Sequence, residues 1–265
     1  MFRSLLSLLC AAAVSLATPA RADLAEIQAS GTLRVLAVLD PNRPEFFSLR
    51  PDQPPGFDHE ILQGFAELHH LKLQVVSMPT WDGLVPALLA GKGDVVAGRF
   101  TATEGRRKTI DFTQEVFPYR LVVLTRKPRP TITSMEELRR EKVGTMKGTN
   151  LAEAIAGLGL PAANIDDAIP TGGFVDALHS GRVTAVVWGV ESVIASQKED
   201  PDLQIGMFVG TPGSLAFGVR KGDPELRAAL DAYVEAFRKT TSWSRLVVKY
   251  FGSAAPEILK KARGE

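Results

Sequence analysis

The stretch "DGLVPALLAGKGDVVAGRFTATEGRRKTIDFT", residues 82–113, carries the pattern that decides the fold. Its opening residues predict a short helix that ends at Gly91, and the "DVVAG" that follows predicts a buried strand. A helix joined to a buried strand by so few residues is typical of α/β folds. The stretch then places Arg99, Arg106 and Arg107 within nine positions. Such cations either face solvent or hold an anion.

The same alternation of strands and helices continues on both sides of this stretch. Apolar, β-rich runs predict strands at TLRVLAVL (32–39), LKLQVV (71–76), KVGTM (142–146) and VTAVVWG (183–189). One-sided apolar patterns predict helices at HEILQGFAELHH (59–70), NLAEAIAGLG (150–159), ELRAALDAYVEAFRKT (225–240) and, as the last of them, SWSRLVVKYFG (242–252). Ser134 and Glu137 have the spacing of a capping box at the start of a further helix. A chain of 265 residues with this order predicts an α/β protein of one or two domains.

Residues 1–22 differ from the rest of the chain. Arg3 precedes an apolar run over residues 5–17, and small residues precede the polar Asp23. This order predicts a secretory signal peptide that is cleaved after Ala22. No later stretch reaches the roughly 20 apolar residues of a membrane-spanning helix. We therefore expect a periplasmic protein.

Composition argues against several classes of function. Cys10, the only cysteine, lies inside the predicted signal peptide, and Leu9 before it argues against lipidation. The remainder would have no disulfide and no cysteine-ligated metal, and the four histidines lack metal-ligand spacing. Residues 1–22 contain two of the 31 basic residues and none of the 30 acidic ones, so the remainder carries 29 and 30. We expect neither a cofactor nor general binding to nucleic acid.

Five blocks of sequence, taken in order, resemble one known family. They are similar to the periplasmic solute-binding proteins of polar amino-acid ABC transporters, bacterial family 3, over nearly all of residues 30–252. The blocks are GFDHEILQGFAELHHLKLQVV (56–76), WDGLVPALLAGKGDVVAGRFTATEGRRKTIDFTQEVFPY (81–119), KVGTMKGTN (142–150), ALHSGRVTAVVWG (177–189), and AFGVRKGDPEL (216–226) with SRLVVKYFG (244–252).

The resemblance implies a two-lobed periplasmic binding protein fold of the type II kind, with two hinge strands and a central ligand cleft. Residues 23–122 and 217–265 would form the first lobe, and residues 123–216 the second. The hinge strands would lie near residues 121–127 and 213–219. Closure of the lobes would need only a few backbone torsions to change there.

The resemblance also assigns a carboxylate clamp to the arginine-rich stretch. Thr103 and Arg106 match the family's motif for gripping the α-carboxylate of the ligand, with Thr101 on the same wall. A guanidinium offers the planar pair of donors that a carboxylate accepts. The same motif leaves Arg107 and Lys108 facing solvent.

A complementary contact is expected from the second lobe. Gly148 and Thr149 precede the predicted helix that begins at Asn150, where free amides and the helix dipole favour an anion. In register with the family, both residues would contact the ligand.

Three positions depart from the family pattern. Gly189 stands where the family has the aspartate that binds the ligand's α-amino group, and Glu191 either replaces it or does not. Arg43 matches an aromatic position, with Phe46 or Phe47 nearby, and Arg99 matches a small polar one. Each arginine faces either the pocket or bulk water.

Clustered arginines in a closing cleft favour an anionic ligand, because buried like charges need anionic partners. The sequence therefore predicts an acidic amino acid, a dicarboxylate or a related carboxylic acid as ligand. Trp81 and Trp188 would supply apolar walls, or would pack in the core.

The expected function is that of a monomeric binding protein, not an enzyme, that delivers its ligand to an ABC permease of the inner membrane. A sensory or accessory binding protein would have the same lobes. The scaffold is also shared by periplasmic cyclohexadienyl dehydratases, in which case Glu191 or Glu45 would be the acid. Such chemistry requires a raised carboxyl pKa.

Overall fold

The computed structural model describes residues 23–41, 43–147, 149–170 and 172–264. The predicted signal peptide and Gly148 lie outside these residues. The helices are α1 (Leu24–Ser30), α2 (Phe57–Leu68), α3 (Leu84–Leu89), α4 (Glu104–Arg107), α5 (Met135–Leu138), α6 (Asn150–Ala156), α7 (Phe174–His179), α8 (Val190–Glu199), α9 (Pro224–Arg238), α10 (Thr241–Phe251) and α11 (Ala255–Arg263). The strands are β1 (Thr32–Ala37), β2 (Lys72–Ser77), β3 (Val95–Val96), β4 (Asp111–Phe112), β5 (Phe117–Arg126), β6 (Val143–Gly144), β7 (Ile165–Asp166), β8 (Ala185–Gly189), β9 (Leu203–Leu215) and β10 (Gly218–Val219).

Local sequence signals place several of these helices. The helix predicted before Gly91 is α3, and Gly91 follows it with a φ of 72°, a backbone conformation that glycine adopts without strain. The predicted capping box begins α5. Ser134 Oγ accepts from the Glu137 amide, and the Glu137 carboxylate accepts from the Ser134 amide. Both predictions are confirmed.

The strands form two separate five-stranded sheets. The first has the order β2-β1-β3-β10-β4, with β1 parallel to β2 and β3. The second has the order β7-β6-β8-β5-β9, with β6 parallel to β7 and β8. We call the first sheet with its helices the first lobe and the second sheet with its helices the second lobe. The predicted α/β class is confirmed.

The chain passes between the sheets at two neighbouring places. It leaves the first sheet after Phe112 and enters the second at Phe117, and it returns between Leu215 and Gly218. The two crossings bond to each other, since the Val116 amide donates to the Leu215 carbonyl at 2.9 Å. Residues 121–124, expected to belong to a hinge strand, pair with β8 inside the second sheet, so the crossing precedes them.

The C-terminal helices contact both lobes. Helix α10 packs on α2 and α9 of the first lobe and on α8 of the second, while α11 packs on β5, β9 and α8 of the second. The prediction that the helix at residues 242–252 is the last one was wrong. In α11, Ala255, Leu259 and Ala262 are buried, a spacing that gives a short helix one apolar face.

A buried aromatic cluster lies where the chain enters the second sheet. The Phe117 ring centroid is 4.7 Å from that of Phe251, 5.4 Å from that of Phe57 and 5.9 Å from that of Phe46. All four rings are at most 2% exposed. Burial of each contributes on the order of 2–3 kcal/mol, so this cluster holds the start of β5 firmly against α2 and α10.

Nowhere in the described part of the chain does a helix combine the length and apolarity that a bilayer crossing requires.

Candidate functional site

A cavity of about 300 Å³ lies between the two lobes. It is lined by residues that follow the carboxyl ends of parallel strands, where open α/β sheets bind their ligands. In the first lobe, Asp40 follows β1 and Arg99 follows β3; in the second, Thr149 follows β6 and Glu191 follows β8. Because β1 pairs with β3 and β6 pairs with β8, each lobe brings two of these loops together.

Arg106 and Thr101 lie on the first-lobe wall of the cavity. Arg106 Nη1 donates to the Thr101 carbonyl at 2.8 Å, and the guanidinium carbon lies 4.2 Å from the centroid of the Phe100 ring. Among the described residues, no carboxylate oxygen lies within 4.0 Å of the Arg106 guanidinium nitrogens. Burial lowers the pKa of Arg106, with Asp82 acting in the opposite direction. Arg106 is therefore a half-buried cation in the cavity wall that contacts no carboxylate of the described residues.

Thr103 shapes the turn that carries Arg106. As the N-cap of α4, its Oγ1 accepts from the Arg106 amide at 3.3 Å. The structure thus assigns Thr103 a capping role beside the cavity and does not include it in the cavity wall. Arg107 and Lys108, which follow in the chain, are exposed, as their expected solvent position requires.

Arg99 is held by an unusual backbone turn. Gly98 has a φ of 84° and Arg99 a φ of 61°, and a non-glycine residue in this region is strained. The buried Asp58 carboxylate stabilises the turn, since it accepts from the Gly98 amide at 2.8 Å and also from the Arg99 amide. Burial raises the pKa of Asp58 to about 7, although both hydrogen bonds favour its charged form. Asp58 could not be recognised from the sequence, because 40 positions separate it from Gly98.

The Arg99 side chain reaches from the first lobe to the second. Its Nη2 lies 3.5 Å from Asp40 Oδ2, and its Nη1 donates to Ser192 Oγ at 3.4 Å. Its guanidinium carbon is 5.6 Å from the centroid of the Trp81 ring, and Trp81 itself lines the cavity. Arg99 therefore faces the cavity but already has a carboxylate and a hydroxyl as partners.

Arg43 also contacts the second lobe. Its guanidinium carbon lies 4.2 Å from the centroid of Trp188, and burial lowers its pKa, while Glu45 acts to raise it. Trp188 lines the cavity, whereas the wall does not include Arg43. The expected aromatic neighbour Phe47 lies elsewhere: it is 4% exposed, packs in the core and is covered by Gly98. The rings of both Phe46 and Phe47 point from the loop into the hydrophobic core.

Glu191 occupies the space next to Gly189, and both residues line the cavity. A Cβ atom at position 189 would collide with both carboxyl oxygens of Glu191. Ser192 Oγ donates to Glu191 Oε1 at 3.1 Å, while Oε2 has no hydrogen-bond partner among the described residues. Burial raises the pKa of Glu191 and that of Glu45, and Arg99 opposes both shifts.

Thr149 lies on the second-lobe wall as the N-cap of α6. Its Oγ1 donates to the Met146 carbonyl at 2.6 Å and accepts from the Ala152 amide at 3.4 Å. The hydroxyl is thus committed to the local turn. Its expected partner Gly148 lies outside the described residues.

The charges around the cavity are more balanced than the sequence suggested. Sequence reasoning named three arginines but missed Asp40, which lies near Arg99 and has further interactions. It also missed Tyr119 and Ser192 as wall residues. For Asp40 a signal existed, since it directly follows the strand predicted over residues 32–39.

Comparison with known proteins supports the architecture. Residues 35–253 match the family described as bacterial extracellular solute-binding proteins, family 3. Among solved structures, the ancestral amino acid-binding protein AncCDT-1, described as a precursor of cyclohexadienyl dehydratase, is 31% identical with a TM-score of 0.73, covering 86% of this chain and 98% of that one. The arginine-bound form of truncated ArgBP from T. maritima is 27% identical with a TM-score of 0.68, covering 81% and 100%. The two-lobed fold is thereby confirmed.

Two kinds of curated relatives match the sequence. A probable histidine-binding protein of Campylobacter jejuni is 28% identical over 72% of this chain and 73% of the relative. A membrane-bound lytic murein transglycosylase F of Desulfosudis oleivorans is 22% identical over 82% of this chain and 48% of the relative. The chain therefore spans about half the length of the transglycosylase that it matches.

Proposed function

The chain belongs to the bacterial extracellular solute-binding proteins of family 3, and from this membership we propose that it binds an amino acid or a related small carboxylate between its two lobes. The ligand carboxylate is received by Arg106, and the lobes close around the ligand. Binding favours the closed arrangement because the ligand contacts both walls only there.

The observation that carries the proposal is the Arg106 guanidinium. It lines the cavity, it is half-buried, and no carboxylate of the described residues lies within 4.0 Å of it. A half-buried guanidinium gains most from a planar anion that accepts two parallel hydrogen bonds. The Thr101 carbonyl, 2.8 Å from Nη1, holds the side chain in place for that contact.

The ligand class follows from the charges that surround the cavity. An acidic or dicarboxylic ligand was expected because Arg43, Arg99 and Arg106 would share a cleft without matching anions. Asp40 lies 3.5 Å from Arg99, and Glu45 and Glu191 also act on these cations. This balance favours a ligand with one carboxylate and one cationic group over a dianion.

Transport is the proposed biological role. Residues 1–22 would direct export to the periplasm, and an ABC permease of the inner membrane would recognise the closed lobes. Opening and closing would bend the crossings at residues 113–116 and 216–217. The boundary between the lobes would then lie a few positions before residue 122.

A second candidate is a dehydratase-like enzyme, favoured by one observation. Burial raises the pKa of Glu45 and Glu191 beside the cavity, and a general acid at neutral pH needs such a shift. Turnover of prephenate or arogenate by the purified protein would distinguish this candidate from simple binding.

A thermal-shift screen of the purified protein tests the proposed function. The panel contains amino acids, dicarboxylates, keto acids and aromatic acids, and hits are followed by calorimetric titration. A ligand selective for the native state raises the unfolding temperature. We expect at least one amino acid to do so, with weaker shifts from dianions. If no compound with a carboxylate binds, the proposal is wrong.

A further inference from the structure

The backbone of Arg99 fixes where its side chain begins. Arg99 has a φ of 61° and follows Gly98 in a turn whose two amides donate to the buried Asp58 carboxylate. An arginine in this conformation is strained, and such strain persists only where the surrounding contacts over-determine it. The turn therefore leaves Arg99 little freedom to direct its side chain away from the cavity.

The Arg99 side chain takes up a part of the cleft that a ligand would otherwise fill. It is 13% exposed and lines the cavity. Its guanidinium carbon lies 5.6 Å from the ring centroid of Trp81 in the first lobe, and its Nη1 donates to Ser192 Oγ of the second lobe at 3.4 Å. Arg99 thus adds a fixed positive charge to the wall at a point where both lobes meet.

The carboxyl groups of the wall offer little to a second cation. Asp40 is 8% exposed, and its Oδ2 lies 3.5 Å from Arg99 Nη2. Asp82 and Glu191 also line the cavity. Asp82 acts on Arg106, and burial raises the pKa of Glu191, which favours its neutral form. A cationic side chain of a ligand would therefore face Arg99 without a carboxylate of its own.

The small size of the cavity prevents a ligand from avoiding this charge. Arg99 and Arg106 line the same volume of about 300 Å³. A ligand whose carboxylate is held by Arg106 must therefore keep its side chain near Arg99. Two cations at short range in a partly desolvated site repel each other strongly unless an anion pairs with them. A neutral side chain meets no such repulsion.

We propose that Arg99 is a specificity-determining residue, which excludes amino acids with a cationic side chain and restricts the cavity to amino acids whose side chain is neutral. This inference rests on the proposed function, because it needs a ligand whose carboxylate is received by Arg106. Arg99 acts here as a repulsive element, which discriminates against the wrong ligand and needs no new contact with the right one.

Calorimetric titration with matched amino acids tests the exclusion. The pairs are L-citrulline with L-arginine, L-norleucine with L-ornithine, and L-norvaline with L-2,4-diaminobutyrate. The members of each pair have nearly the same shape and share the α-carboxylate and the α-amino group, so only the charge of the side chain differs. We expect the wild-type protein to bind the neutral member of at least one pair about 10-fold or more tighter than the cationic member.

Variants of Arg99 then assign this preference to its charge. Arg99→Gln removes the charge and keeps a long polar side chain, so it should bind the cationic member of that pair about 10-fold or more tighter than the wild type does. Arg99→Lys keeps the charge and should keep the preference within about 3-fold. Arg107→Gln removes an exposed cation from the same stretch and is the matched control, with no expected change.

A gain of affinity in Arg99→Gln cannot result from a loss of folding, which makes it the decisive result. Equal preferences in the wild type and Arg99→Gln would overturn the inference, as would loss of the preference in Arg99→Lys. If the wild type binds no member of any pair, detectable binding of a cationic member by Arg99→Gln supports the exclusion, and its absence overturns it.

The outcomes also separate this inference from the proposed function. If an amino acid with a cationic side chain binds the wild type as tightly as its neutral counterpart, the exclusion is wrong and the proposed function stands. If no compound with a carboxylate binds the wild type, either among the pairs or in the wider screen, both are wrong.

Discussion

The guanidinium of Arg43 stacks on the ring of Trp188, with 4.2 Å between the guanidinium carbon and the ring centroid. Arg43 belongs to a loop of the first lobe and Trp188 to strand β8 of the second. Together with the contact of Arg99 to Ser192, this pair joins the lobes directly across the cavity. The two lobes are therefore held together in part by the protein's own arginines.

Removal of the Arg43 side chain should favour the open arrangement. A partly desolvated cation–π pair contributes about 0.5–2 kcal/mol, so Arg43→Ala should increase the radius of gyration of the unliganded protein in small-angle X-ray scattering. The matched control is Arg120→Ala, which removes a stacking contact with Phe208 inside the second lobe. Identical scattering from wild type and Arg43→Ala would contradict a role for the pair in closure.

Replacement of Arg106 should abolish most ligand affinity. Truncating one partner of a buried, hydrogen-bonded charge pair costs about 2–5 kcal/mol, so Arg106→Ala should weaken binding of the best screened ligand by at least about 30-fold. Arg107→Ala removes the exposed neighbouring cation and should leave the affinity nearly unchanged. Titration calorimetry measures both. Unchanged affinity in Arg106→Ala would remove the carboxylate clamp from the proposed function.

Asp58 should make stability depend on pH. Its pKa is raised from 3.8 to about 7 in the folded protein, mainly by burial. The folded state therefore holds this proton more tightly than the unfolded state, so the contribution of Asp58 to stability is full below pH 4 and is lost as pH rises to about 7. The slope is at most about 1.4 kcal/mol per pH unit.

Asp58→Asn isolates this effect from that of other carboxylates. Glu45 and Glu191 also have raised pKa values, so they too lower the free energy of unfolding as pH rises. Both residues are present in the wild type and in Asp58→Asn, so their effect is the same in the two curves. The free energy of unfolding in urea, measured from pH 4 to pH 8, should fall more steeply in the wild type than in Asp58→Asn. Parallel curves would mean that Asp58 does not titrate in this range.

Glu115 should hold the C-terminal helix in place. It lies in the first crossing, and its Oε1 accepts from Arg238 of α9 at 3.0 Å and from Arg263 of α11 at 2.6 Å. All three side chains are less than a third exposed, and removal of a shared partner from such a network costs about 1–2 kcal/mol.

Glu115→Ala should therefore lower the free energy of unfolding in urea by that amount. Glu136→Ala, which breaks an exposed pair with Arg140, is the control and should have little effect. Equal free energies of unfolding of the two variants would show that the Glu115 network contributes no more to stability than an exposed ion pair.

Features set by neighbouring residues could be predicted from the sequence. The alternation of strands and helices, the capping box at Ser134 and Glu137, and the end of α3 before Gly91 all depend on residues a few positions apart. Thr103, by contrast, was expected to contact the ligand, whereas its hydroxyl caps the amide of Arg106 three positions later. The resemblance to a known family added the two lobes, which local patterns alone do not specify.

Features set by distant residues could not be predicted. Asp58 supports the turn at Arg99 across 40 positions, and Arg99 reaches Ser192 across 93. Phe47 turned inward because its loop packs on the core, which the sequence pattern does not reveal. The expected excess of positive charge likewise ignored Asp40, whose loop lies beside that of Arg99 only because β1 pairs with β3.

The sequence by itself determined that this chain forms an α/β protein, and its resemblance to a known family pointed to Arg106 as the candidate carboxylate clamp. Only the tertiary structure decided which charges meet in the cavity, because loops at the ends of paired strands come together regardless of their separation along the chain. It also decided that Glu191 takes the space that Gly189 leaves. Although the two residues are only two positions apart, the direction of the glutamate side chain depends on how β8 turns into α8 and on the residues around it in the cavity wall.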